Sequence, residues 1–201
     1  MPSAGPQGIT VSVAVRLVPS FDAVMTLDAR NVAFTSFATN LVAGDDNGLS
    51  DVFRRDLQTG ELSQVSAGAT RSSFSRGSDS GQPRITPDGR FVVFLSSANG
   101  LVPNVSNTFE VYVRDMESGQ MFCPSFYPFG RHDYGYNHQI SDDGRYVAYQ
   151  VTPVNSLRST LFRHDMVGAT SNVVGAALFT VVASPIGFKY AQFVDMAPDG
   201  R

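Results

Sequence analysis

The chain has 201 residues, is 42% hydrophobic and only 16% charged, and carries a formal net charge of −3. That apolar content is ample for a packed core, and scattered arginines on a net-acidic chain exclude a nucleic-acid footprint. No apolar run approaches the roughly 18 residues of a membrane-spanning helix, and a lone cysteine, Cys123, excludes an internal disulfide.

In chain order, Met1-Pro2-Ser3-Ala4-Gly5 has no basic start and no apolar run after it, so no signal peptide is expected. Thr10 to Leu17 alternates and carries Arg16. It reads as a strand, the outer strand of a partial unit over residues 1–20. A short phrase then recurs: T-L-D-A-R ending at Arg30, T-P-D-G-R at Arg90, S-D-D-G-R at Arg145 and A-P-D-G-R at Arg201, at intervals of 60, 55 and 56 residues. Self-similarity at such a period marks a repeat architecture.

Each phrase opens the same series of strands. An apolar run follows the arginine (N-V-A-F-T-S after Arg30, F-V-V-F-L-S after Arg90, Y-V-A-Y-Q-V after Arg145), β-branched and aromatic as strands are. Apolar residues on both faces predict a strand covered on both sides. A second strand ends in Asp56-Leu57, Asp115-Met116 and Asp165-Met166. A turn containing Gly60, Gly119 or Gly168 follows, where glycine supplies positive φ. A third strand begins at Glu61, Gln120 and Ser171, the last of these poor in pattern, and a fourth runs into the next phrase (Gln82 to Thr86, Asn137 to Ser141). Four antiparallel strands per unit of about 55 residues are what β-propeller blades are made of. The expected blades are residues 21–68, 69–126 and 127–180, with 181–201 starting another. In the phrase, Asp88-Gly89 and Asp143-Gly144 read as turn residues. Ala29 tolerates positive φ poorly, which predicts another shape for the first turn.

The stretches Arg145 to Tyr149, T-P-D-G-R-F-V-V-F and Ala38 to Leu62 resemble the TolB-type, WD-like β-propeller repeat. The resemblance covers most of residues 21–201. It implies an all-β propeller, a bacterial periplasmic or extracellular setting, and a protein-binding platform or an accessory domain of an enzyme.

Three full units with two partial ones, from Thr10 and from Lys189, do not close a ring by themselves. The chain is therefore expected to be part of a longer product, to self-associate through its half-blades, or to close as a small propeller.

Two loops are candidate sites. Asp45, Asn47 and Asp51 gather oxygens around Gly48, as calcium requires, but the spacing is not that of an EF-hand, and a solvated hairpin turn is the preferred reading, with calcium the weaker candidate. The connection from Phe126 to His138 concentrates aromatics, histidines and an arginine. Loops of this composition on a rigid scaffold bind partners, so Tyr127, Phe129, Arg131, His132, Tyr134 and Tyr136 are the partner-binding candidates. Wedging between blades is the alternative for the aromatics.

Arg54, Arg55, Arg114 and Arg163 are expected to pair with Asp56, Asp115 and Asp165 or with neighbouring turns. No catalytic triad, phosphate loop or zinc spacing is present, and no cofactor is expected beyond the calcium candidate. The expected function is a non-catalytic scaffold for a protein partner. A propeller portion of a larger hydrolase or lyase, and a carbohydrate-binding module, are the alternatives.

Overall fold

A computed structural model describes residues 19–72, 79–106, 109–126, 134–152, 159–177 and 197–200. The described residues hold twelve strands in three four-stranded antiparallel sheets and no helix. Blade 1 comprises β1 (Ser20–Met25), β2 (Asn31–Ser36), β3 (Asp51–Asp56) and β4 (Leu62–Gln64). Blade 2 comprises β5 (Ser80–Ile85), β6 (Phe91–Ser96), β7 (Glu110–Asp115) and β8 (Met121–Phe122). Blade 3 comprises β9 (Tyr134–Ile140), β10 (Tyr146–Thr152), β11 (Ser159–Asp165) and β12 (Thr170–Ala177). Each strand pairs with the next in sequence, a simple meander.

The same local chemistry builds each blade. In the turn entering β2, β6 and β10, the aspartate accepts from the Thr26, Thr86 or Ser141 hydroxyl at 2.5–2.6 Å. It also accepts the backbone N–H of Arg30, Arg90 or Arg145 at 2.9–3.0 Å. The hydroxyl oxygen in turn accepts the N–H of the residue after the arginine, at 2.9–3.0 Å. The β2–β3 hairpin is fixed by a stacked aromatic pair, Phe34–Phe53, repeated as Phe94–Tyr112 and Tyr149–Phe162, every one with centroids 5.7 Å apart. Such cross-strand pairs stabilise sheets by roughly 0.2–1 kcal/mol each.

Each first strand carries the same bulge, where Asp22, Gln82 and Asn137 take φ of 54°, 54° and 48°. The bulge re-aims the strand beside its neighbour blade. Its consequence is visible where the Gln82 carbonyl accepts from His138 Nε2 at 2.7 Å.

Two apolar layers lie between the blades. Ala33 and Val52 of blade 1 pack with Val92, Phe94 and Tyr112 of blade 2. Val93, Leu95, Val111 and Val113 of blade 2 pack with Val147 and Tyr149 of blade 3. β6 is accordingly buried on both faces from Val92 to Ser96 and β10 from Val147 to Val151, whereas Val32 and Phe34 at the matching positions of β2 are half-buried.

Three expectations change. Ala29 adopts φ 58° and closes the same turn as its glycine counterparts, with its N–H bonded to the Thr26 carbonyl at 2.9 Å as Gly89 bonds Thr86 at 2.8 Å. The surrounding hydrogen bonds hold alanine in the left-handed region. In the β11–β12 turn the positive φ falls on Ala169 (47°), not Gly168, because Ala169 occupies the place of Gly60 and Gly119. The strand after the Gly168 turn, poor by pattern, is β12, which is eight residues long and pairs along all of β11. Its exposed Val173 and Val174 are held by backbone pairing and β-branching rather than burial.

The strand expected at Thr10–Leu17 and the one expected at Lys189–Met196 lie outside the described residues.

Candidate functional site

Most charged side chains at the strand ends serve the fold. Asp56, Asp115 and Asp165 each receive the guanidinium of their own blade's turn arginine: Arg30 at 2.9 Å, Arg90 at 2.9 Å and Arg145 at 3.0 Å. The other side of each carboxylate accepts two backbone N–H groups of the following turn, such as Gln58 and Thr59 on Asp56 at 2.8 and 3.0 Å. These bonds, the arginine's first, hold Asp56 and Asp165 down to about 2 and Asp115 lower still. The strand arginines turn instead to the neighbouring blade: Arg54 Nη1 donates to the Gly89 carbonyl at 2.9 Å and Arg163 Nη1 to that of Gly200 at 3.0 Å.

The glycines meeting these arginines sit where no side chain fits. A Cβ on Gly89 would lie 2.4 Å from Asn31, on Gly144 2.2 Å from Phe91, and on Gly200 2.3 Å from Tyr146. In each case the glycine position abuts the first residue of the preceding blade's second strand. Arg163 also lies over the Tyr146 ring, 4.7 Å from its centroid. The fourth phrase therefore docks on blade 3 as the second docks on blade 1.

Of the aromatic connection, Tyr127, Phe129, Arg131 and His132 lie outside the described residues, as does the side chain of Tyr134. The backbone of Tyr134 opens β9, and the connection leaves blade 2 at the exposed Phe126. Tyr136 is half-buried and packs against the layer between blades 2 and 3. The adjacent Gly135 is fixed to blade 2, with its N–H on the Phe109 carbonyl at 2.9 Å. Tyr136 is thus committed to the contact between blades 2 and 3.

His138 is buried, with Nε2–H donating to Gln82, and no donor among the described residues reaches Nδ1. Burial, then the Arg84 charge, pushes it down to about 4. Neutral and enclosed, it fastens blade 3 to blade 2.

In the acidic loop, Asp51 Oδ1 accepts from Ser66 Oγ and Oδ2 from Asn47 Nδ2 at 2.9 Å, while Asn47 Oδ1 accepts the Leu49 N–H at 2.7 Å. Asp45 is 5% exposed, and its Oδ1 has no hydrogen-bond donor among the described residues. Burial, with the charges of Asp51 and Asp46, raises its pKa. The matching residue of blade 2 is Val105, which is part of the apolar layer. Three or more His, Cys, Asp or Glu side chains do not converge on one point among the described residues.

Four-stranded meander blades that stack face to face define a β-propeller. In particular, the chain has the TolB-like propeller fold. It is similar to a TolB-type structure from Agrobacterium tumefaciens (TM-score 0.56, 16% identity, covering 90% of this chain and 56% of that one). It is also similar to TolB from Acinetobacter baumannii (TM-score 0.50, 19% identity, 77% and 32%). A third similar structure is the β-propeller domain of the trilobed protease from Pyrococcus furiosus, described as having an open velcro topology (TM-score 0.52, 12% identity, 80% and 42%). The chain thus spans between 32% and 56% of the length of these structures. No family model and no curated protein matches it.

Proposed function

We propose that the chain is a non-catalytic propeller scaffold for a protein partner, bound by the connection that joins blade 2 to blade 3. The observation that carries this reading is the division of labour among polar groups. The strand-end Asp and Arg side chains are spent on turns and blade contacts. The aromatic connection leaves blade 2 at the exposed Phe126 and is tied back to blade 2 at Gly135, whose N–H bonds the Phe109 carbonyl. Tyr127, Phe129, Arg131, His132 and Tyr134 are the contact residues; Tyr136 anchors the loop. Similarity to TolB structures agrees with a protein partner.

The test is photo-crosslinking from position 129 in the organism's own extract, followed by Arg131→Ala and Tyr134→Ala. Loss of one defined crosslinked protein with an unchanged melting temperature supports the reading. A crosslink pattern indifferent to both variants sinks it. Glycan binding abolished by Tyr134→Ala would favour the carbohydrate reading, and Tyr136→Ala is no test because it disturbs the core.

A second reading has its own observation: Asp45 Oδ1 is buried with no donor among the described residues. Calcium held by Asp45, Asn47 and Asp51 would satisfy it. Addition of millimolar calcium would then raise the melting temperature and a chelator would reverse the rise; no response to either dismisses calcium. The similarity to a protease's propeller domain keeps a hydrolase or lyase accessory role as the alternative. Hydrolase activity retained by Arg131→Ala would favour it.

A further inference from the structure

The chain holds two Asn-Gly pairs, Asn47-Gly48 and Asn99-Gly100. Asparagine is a thermolabile residue, and a following glycine leaves the attacking backbone nitrogen unshielded, because it has no Cβ. The fold treats the two pairs differently.

Asn99 is pinned through its backbone. Its N–H donates to the Thr70 carbonyl at 3.0 Å and its carbonyl accepts the Thr70 N–H at 2.8 Å. Gly100 is pressed on Gly68, whose carbonyl oxygen would lie 2.5 Å from a Cβ there. The peptide plane between Asn99 and Gly100 therefore cannot turn its nitrogen towards the side-chain amide without breaking this bridge.

Asn47 is held through its side chain instead. Oδ1 accepts the Leu49 N–H at 2.7 Å, and Nδ2 donates to Asp51 Oδ2 at 2.9 Å and to the Ala69 carbonyl at 3.3 Å. A bond to the N–H two residues on folds the amide back across the Gly48 peptide. The Leu49 N–H also stands where it polarises Cγ and stabilises negative charge on Oδ1. Gly48 itself is exposed, with φ 65°, so water reaches the reacting bond.

We propose that Asn47 is a site of spontaneous deamidation, and that its conversion to an acid loosens the junction between blades 1 and 2. Hydroxide takes the Gly48 N–H proton as the nitrogen attacks Asn47 Cγ. The N–Cγ bond forms and the charge passes to Oδ1 under the Leu49 N–H. The Cγ–Nδ2 bond then breaks, and ammonia leaves with a proton from water, which restores the hydroxide. Water opens the succinimide to aspartate or isoaspartate, so the net change is one water taken up and one ammonia released. The product sets a carboxylate against Asp51 Oδ2, where like charges repel, and drops the tie to Ala69. The same loop staples the blades together. Ser50 Oγ donates to the Ser80 carbonyl at 2.9 Å, the Ser50 N–H to Asp79 Oδ1 at 3.2 Å, and Leu49 is buried in the layer between blades 1 and 2. Isoaspartate adds a methylene to the backbone just ahead of Leu49.

The test incubates the full chain in mildly alkaline buffer, with a chelator so that no cation on the loop holds the amide. Both Asn-Gly pairs are followed by peptide mass spectrometry, and a parallel sample is kept unfolded in urea, where sequence alone sets the rates. The ratio of the Asn47 rate to the Asn99 rate is expected to be about tenfold higher in the folded chain than in urea. A ratio no higher than in urea overturns the site. The deamidated chain, separated by anion exchange through its added negative charge, is expected to unfold at a lower urea concentration than the fresh chain, and Asn47→Asp to share the shift. An unchanged midpoint in the deamidated chain overturns the loosening.

Discussion

Ala29 and Ala169 hold φ of 58° and 47° at positions where the other blades place glycine. A left-handed alanine costs roughly 1–2 kcal/mol, partly offset by the looser unfolded chain that glycine brings. Ala29→Gly and Ala169→Gly should therefore each stabilise the chain by about 0.5–1 kcal/mol in urea unfolding. Gly144→Ala should do the opposite and cost about 3 kcal/mol, since it adds left-handed strain to overpacking against Phe91. His138 gives a second prediction at this scale. Its folded pKa of about 4 lies below the ordinary 6.5, so the unfolded chain takes up the proton first. Its share of stability is full above pH 6.5 and is lost as pH falls towards 4, by about 3 kcal/mol in all. In His138→Gln, unfolding free energy should be flat across that window; an unchanged slope would show that another group titrates there.

At the scale of the element, the acidic loop and the turn clamps pull the pH profile in opposite directions. Asp45 is raised by burial, so the folded state binds its proton more tightly and stability falls as pH rises through its folded pKa. Asp45→Val copies the Val105 of blade 2 and should stabilise the apo chain at pH 7 by about 1–2 kcal/mol. The same substitution should remove any calcium response, which separates the metal from mere strain in one melting experiment. Asp56, Asp115 and Asp165 are depressed by their arginines, so their contribution is present above the ordinary carboxylate range and lost only as pH falls towards about 2. Asp115→Asn should therefore flatten the acid limb below pH 4 and leave the histidine limb intact. The spacing of D-G-R and the strand-ending Asp was plain in the sequence, but their pairing with each other was not. They are 25 residues apart in blade 2, and only the meander places them side by side.

Across the whole molecule, stacked blades behave as neighbours in a row, each stabilised by the faces it shares. Blade 2 shares both, and Val92 to Leu95 and Val111 to Val113 are fully enclosed. Amide exchange measured by mass spectrometry should be slowest in β6 and β7 and fastest in β1 and β12. Uniform protection across the three blades would mean that the layers are not the units of stability.

By itself the sequence determined the repeat, the four strands of each blade, the turn chemistry and the TolB-like propeller fold. These rest on local signals: alternation, β-branching, and Asp-Gly at fixed spacing. Tertiary structure alone decided which arginine meets which carboxylate and which glycine touches the blade before it. It also decided that Asp45 and His138 are buried. Burial and contact between blades depend on residues about 55 positions apart in sequence, where no local pattern reaches.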